Sequence, residues 1–118
     1  MLEIVLKDNK KRFRPFDVIE GKIKYDLSKS SKEITVDLVW TTMGKGTTDN
    51  YRADTSVIST TGNNRGEGHF RLNAPAGPYS FSGKLVSIIW MISCGTENDK
   101  EIAEKEIVIS PVGREVVV

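Results

Sequence analysis

Pro78-Tyr79-Ser80-Phe81-Ser82-Gly83-Lys84-Leu85-Val86-Ser87-Ile88-Ile89-Trp90-Met91-Ile92 is the stretch whose reading decides the fold. It opens with a turn-like Pro-x-Ser-Phe-x-Gly segment and becomes the most apolar run of the chain. Punctuation followed by a continuous apolar run predicts a strand entering a core. Val86, Ile88, Trp90, Ile92 and Cys94 fall on one face of that strand. Leu85, Ile89 and Met91 fall on the other, with Ser87 and Ser93. Apolar residues on both faces place the strand at the centre of a sheet, or under a cover on its second face.

Outward from this run, the rest of the chain alternates with period two. Val18 to Leu27 sets Ile19, Gly21, Ile23, Tyr25 and Leu27 against an almost wholly charged face of Glu20, Lys22, Lys24 and Asp26. Glu33 to Thr42 alternates likewise, with Ile34, Val36, Leu38 and Trp40 inward and Thr41 outward. Leu2 to Lys7, Tyr51 to Thr60, His69 to Asn73 and Glu101 to Ser110 complete the set of strands. Asp8-Asn9-Lys10-Lys11 has a turn composition that suits a hairpin. Arg12 to Asp17 contains Pro15, which cannot donate to a ladder, and reads as an edge or lead-in. Met43 to Asn50 and Thr61 to Gly68 read as loops, and Ala74 to Pro78 as a rigid connection. Seven or eight short strands without a helical period predict an all-β protein, an antiparallel immunoglobulin-like β-sandwich. A single domain over residues 1–118 is expected, with 112–118 a tail or the start of a linker. Trp40 and Trp90 are the expected core anchors.

The 118 residues carry a net charge of +1, so the overall field argues for neither nucleic acid nor a membrane surface. Charged residues make up 28% and hydrophobic ones 38%, values of a globular protein with an ordinary core. Cys94 is the single cysteine, which excludes an internal disulfide framework. No apolar run is long enough to span a membrane, and the start lacks the regions of a signal peptide. A reducing, cytoplasmic setting is the expectation.

Three local patterns resemble the arrestin-type domain, the β-sandwich of arrestins, arrestin-related adaptors, Vps26 proteins and bacterial relatives. They are Phe16-Asp17-x-Ile19-x-Gly21-Lys22-Ile23, Phe70-x-Leu72-x-x-Pro75, and Pro78-x-Ser80-Phe81-x-Gly83 followed by Ile88-x-Trp90-x-Ile92. Their order and spacing are similar to the family's along nearly the whole chain, with Trp90 where the family usually has Tyr. The resemblance implies a single arrestin-like sandwich, where arrestins proper have two. It implies an adaptor or scaffold that binds protein, and it carries over no phosphate-sensing charge network.

The chemistry-bearing residues are sparse. His69, the one histidine, reads as an ordinary strand residue. One histidine and one cysteine are too few preferred ligands for a zinc site, and Cys94 reads as a small core hydrophobe with nothing nearby to activate it as a nucleophile. Gly44-Lys45-Gly46-Thr47-Thr48 lacks the spaced first glycine of a phosphate loop and reads as a strand connection. Ser80, Phe81 and Trp90 read as architecture. The expectation is therefore a non-enzyme with no cofactor and no metal, binding a protein or acidic peptide through sandwich-end loops or a sheet edge. The site candidates are Lys10, Lys11, Arg12 and Arg14, in a segment of local charge near +4, and Lys45. An acidic stretch, Glu97 to Glu106, is a second patch to which the basic one could be drawn, within one molecule or between copies. The alternatives are a structural subunit that forms homo-oligomers through the Val116-Val118 tail, the charged patches or sheet edges, and a carbohydrate-binding sandwich. The last usually needs a row of exposed aromatics, whereas both tryptophans read as buried.

Overall fold

The computed structural model describes residues 1–29, 31–44, 47–60, 62–83, 86–97, 101–111 and 116–117. The strands are β1 (Leu2–Leu6), β2 (Arg12–Phe13), β3 (Val18–Asp26), β4 (Glu33–Gly44), β5 (Thr47–Ser59), β6 (Arg65–Asn73), β7 (Phe81–Ser82), β8 (Val86–Thr96), β9 (Ile102–Ile109) and β10 (Val116–Val117). Two sheets pack face to face. The smaller has the order β1-β3-β6 and is antiparallel throughout. In the larger sheet β8 is central. On one side lie β4 and then β5; on the other, β7 and β10 flank its first residues, and β9 and β2 flank the rest. The pairings among the long strands are antiparallel, and the two parallel ones, β2 with β9 and β10 with β7, involve two-residue strands at the margins. The fold is the expected all-β sandwich.

The core follows the alternation. Ile19, Ile23 and Tyr25 of β3 meet Ile34, Val36 and Leu38 of β4 across the interior, with Phe70, Leu72, Trp90, Ile92, Ile107 and Ile109. Gly21 sits where β1, β3 and β6 draw together, and a Cβ there would lie 2.5 Å from the Val5 carbonyl and 2.8 Å from the Phe70 ring. The ring of Phe70 fills the space a side chain would need. Pro78 and Trp90 are joined: the indole N–H donates to the Pro78 carbonyl at 2.8 Å, which satisfies the one polar atom of a fully buried ring.

Four expectations are corrected. First, Lys7–Asn9 forms a tight turn, but it closes no hairpin. β1 pairs with β3 while β2 pairs with β9, so the chain crosses here from one sheet to the other. Asp8 and Asn9 both take positive φ, which Asp and Asn tolerate better than most side chains. Second, Met43, Gly44 and Thr47 to Asn50, expected in a loop, are strand. β4 and β5 stay paired as far as Gly44 and Thr47, because threonines and Tyr51 favour an extended chain. Third, the break after Thr60 is shorter than expected: Arg65 to Gly68 is already strand. Gly68 belongs there because Ile58 occupies the volume its side chain would take. Fourth, Trp40 is only half-buried, and Thr41, expected outward in solvent, is buried and donates to Asn50 Oδ1 at 2.7 Å. The β4–β5 register shifts between Leu38 and Val39, which disturbs the simple alternation beyond that point.

The tail is partly accounted for: Val116–Val117 runs parallel to Phe81–Ser82 and extends the large sheet.

Candidate functional site

The basic segment divides into two groups once folded. Lys7 forms an ion pair with Glu20 at 3.4 Å, and Lys10 with Asp17 at 3.6 Å, while the Lys10 ammonium also lies 5.0 Å from the centre of the Phe13 ring. Lys11, Arg12 and Arg14 are exposed, and among the described residues none of their side chains is in an ion pair. The backbone explains this display. Phe13 is buried and in register with Ile109, so its neighbours Arg12 and Arg14 point the opposite way. The Lys11 carbonyl accepts from Val108 N at 2.9 Å, and the Phe13 carbonyl from Ser110 N at 3.0 Å, which fixes the strand to β9. The structure thus turns Arg12 and Arg14 to the same outward side at one margin of the sandwich, with the exposed Lys11 preceding them. Lys45 lies outside the described residues.

The margin is built from three chain segments. Arg14 to Asp17 is a turn in which Asp17 N donates to the Arg14 carbonyl at 3.1 Å and the Asp17 carboxylate accepts from Arg14 N at 2.8 Å. This turn is fastened to the connection after β6: Phe16 N donates to the Ala74 carbonyl at 3.1 Å, and Ala74 N to the Asp17 carbonyl at 2.9 Å. Further along that connection, Ser80 N donates to the Ile109 carbonyl at 2.7 Å, and Ile109 N to Ser80 Oγ at 3.0 Å. Ser80 is therefore architecture, as its sequence context suggests.

Sequence reasoning missed a neighbouring groove. It has a volume of about 760 Å³ and opens on the outer face of β1, β3 and β6, where Lys7, Glu20, Lys22, His69 and Arg71 line it. Lys22 faces His69 and Glu20 faces Arg71 across the β3–β6 ladder. The alternating charged face of β3 was the available signal, but concavity depends on how three strands twist together and leaves no trace in one of them.

The remaining candidates are accounted for by packing. Cys94 is buried, and desolvation pushes its thiol up to about 11, partly offset by a hydrogen bond with the Ala103 backbone, so it is a protonated core residue at neutral pH. Much of the acidic stretch is engaged within the fold. Glu97 accepts from Lys32 N at 3.0 Å, and Glu101 binds the Met1 ammonium and Ser28 N. The Met1 ammonium beside Glu101 lowers that carboxyl below its ordinary range. Glu104 and Glu106 remain exposed; Asp99 lies outside the described residues. Of the aromatics, Trp40 stacks on Tyr51 with ring centres 4.1 Å apart and stands 6.3 Å from Trp90, so one row runs from the exposed Tyr51 into the core. Among the described residues no helix is long and apolar enough to cross a membrane.

No protein-family model matches the chain, and no curated protein does. Among solved structures the chain is similar to Spo0M, the sporulation control protein of Bacillus subtilis, with a TM-score of 0.65. The identity is 11%, and the match covers 92% of this chain and 48% of that one, so the chain spans about half the length of the protein it resembles. At that identity the likeness concerns the fold alone, and the fold is an arrestin-like β-sandwich.

Proposed function

We propose that the chain is a non-catalytic interaction module of the adaptor or scaffold type, which binds an acidic segment of another protein without a cofactor. One observation carries this reading: folding pairs Lys7 and Lys10 with carboxylates but leaves Lys11 exposed and Arg12 and Arg14 on the outward side of a segment fixed to β9. Guanidinium groups held this way are suited to carboxylates or phosphates, which they engage in charge-assisted hydrogen bonds. Two residues agree with it: the Cys94 thiol is protonated and His69 stands on an exposed strand face. That the similar structure is a sporulation control protein suits a regulatory partner-binding role. The single domain and a cytoplasmic setting are part of the same proposal.

The test is binding of acidic peptides to the wild-type chain and to the double variant R12E/R14E, followed across salt concentrations. Salt-sensitive binding that the double variant loses supports the module. Binding that ignores both salt and the charge reversal would refute it. A second reading, a subunit that self-associates through a sheet edge, is favoured by β5, a thirteen-residue strand whose ladder partner among the described residues is β4 alone. Light scattering coupled to size exclusion separates the readings, since a strict monomer removes the second.

A further inference from the structure

Arg14-Pro15-Phe16-Asp17 is a type II β-turn, with proline at its second position and a positive φ at its third, where Phe16 has φ 67°. That position favours glycine, because a Cβ is strained there. A large aromatic is a poor local choice. Burial does not explain it either, since Phe16 is 75% exposed, more than any other large hydrophobic residue described. Neither local geometry nor the core accounts for this side chain.

Its surroundings suggest what does. The turn is held by the two hydrogen bonds to Ala74, by the Asp17 carboxylate on Arg14 N and by the Lys10–Asp17 ion pair, so the ring is presented on a fixed base. Arg12 and Arg14 precede it, and the exposed Val18 and Tyr79 lie on the segments that flank it. An aromatic ring beside displayed arginines on a pre-ordered turn has the composition of an interface hot spot. We propose that Phe16 is the apolar anchor of this surface, and that its ligand is an acidic protein segment carrying apolar side chains that enclose the ring. The inference rests on the acidic-partner reading above and adds the apolar requirement. A protein is favoured over an anionic bilayer because Asp8, Asp17 and Glu20 lie among the five cations from Lys7 to Arg14 and would face the lipid headgroups. A single ring with so small a net charge is a weak membrane anchor.

The experiment uses two synthetic peptides: an amphipathic helix of Glu and Leu, and its counterpart with every Leu replaced by Ser. The wild-type chain is expected to bind the Leu peptide about ten- to hundred-fold more tightly, the gain from enclosing one aromatic ring. F16G and F16N should abolish that gain while leaving the Ser peptide's affinity and the melting temperature unchanged or raised. R12E/R14E should weaken both peptides. If the Leu peptide keeps its advantage in F16G, or never had one, the anchor is refuted and the acidic-partner reading stands. If neither peptide binds the wild-type chain, both are refuted. Phosphatidylserine vesicles are the control, and F16G-sensitive binding to them in preference to the Leu peptide would overturn the protein ligand in favour of lipid.

Discussion

Trp90 and Phe16 both hydrogen-bond into the connection between β6 and β7, yet they end in opposite states. The Trp90 indole donates to Pro78 and the ring is fully buried; the Phe16 backbone donates to Ala74 and its ring is 75% exposed. Hydrophobicity does not separate the two. Trp90 lies on the inward face of a central strand, in register with Trp40 on one side and Ile107 on the other. Phe16 sits at the tip of a turn whose positive φ directs the chain from β2 into β3. Position in the sheet decides which aromatic builds the core, and the turn frees the other for display.

The largest effect should come from Trp90→Ala, expected to cost about 3–5 kcal/mol in denaturant unfolding through the cavity it leaves. Against a total stability of roughly 5–15 kcal/mol, that brings the fold close to collapse. Should it cost no more than a change at Phe16, the contrast between the two rings would fail. Gly21→Ala should cost about 2–3 kcal/mol, because its Cβ would meet the Val5 carbonyl and the Phe70 ring, neither of which can retreat without moving a strand. An unfolding curve like wild type would show that the small sheet is loosely packed.

A smaller effect concerns Cys94 on the Trp90 strand. Its thiol titrates near 11 in the fold, above the ordinary thiol range, so the folded state prefers the protonated form. Stability from this group should be level at neutral pH and decline as pH rises from the ordinary thiol value toward 11, by on the order of 1–2 kcal/mol. Unfolding measured against pH should show that decline in wild type and a shallower one in Cys94→Ala. The smallest change belongs to Phe16→Asn, within about 0.5 kcal/mol of wild type in the same assay, since Asn tolerates the left-handed region and little buried area is lost. A large destabilisation there would make Phe16 structural and remove the reason to regard it as displayed.

Much of the fold was legible in the sequence, for a definite reason. Wherever a strand has one face in the core and one in water, alternation reports the pleat directly, as in β3 from Ile19 to Tyr25. The central place of β8 was readable too, because Ile89 and Met91 sit half-buried on its second face between neighbouring strands. What escaped were features made by distant pairing. β2 and β10 are two residues long and exist only because β9 and β7 lie beside them. The change in burial at Trp40 and Thr41 follows a shift in register against β5 that β4 alone does not encode.

The candidate surface divides in the same way. The sequence by itself determined the clustered cations from Lys7 to Arg14 and an edge or lead-in around Pro15, since adjacent residues and a proline without an N–H need no partner to be read. It also determined that the Trp90 stretch would be a core strand, because its apolar run has no other stable environment. Only the tertiary structure decided which cations are left open. Glu20 and Asp17 reach Lys7 and Lys10 once β3 is aligned with β1 and the Phe16 turn is closed, while Arg12 and Arg14 are turned outward by the burial of Phe13 against β9. Ion pairing and exposure depend on where side chains stand in space, and that is fixed by packing between sheets.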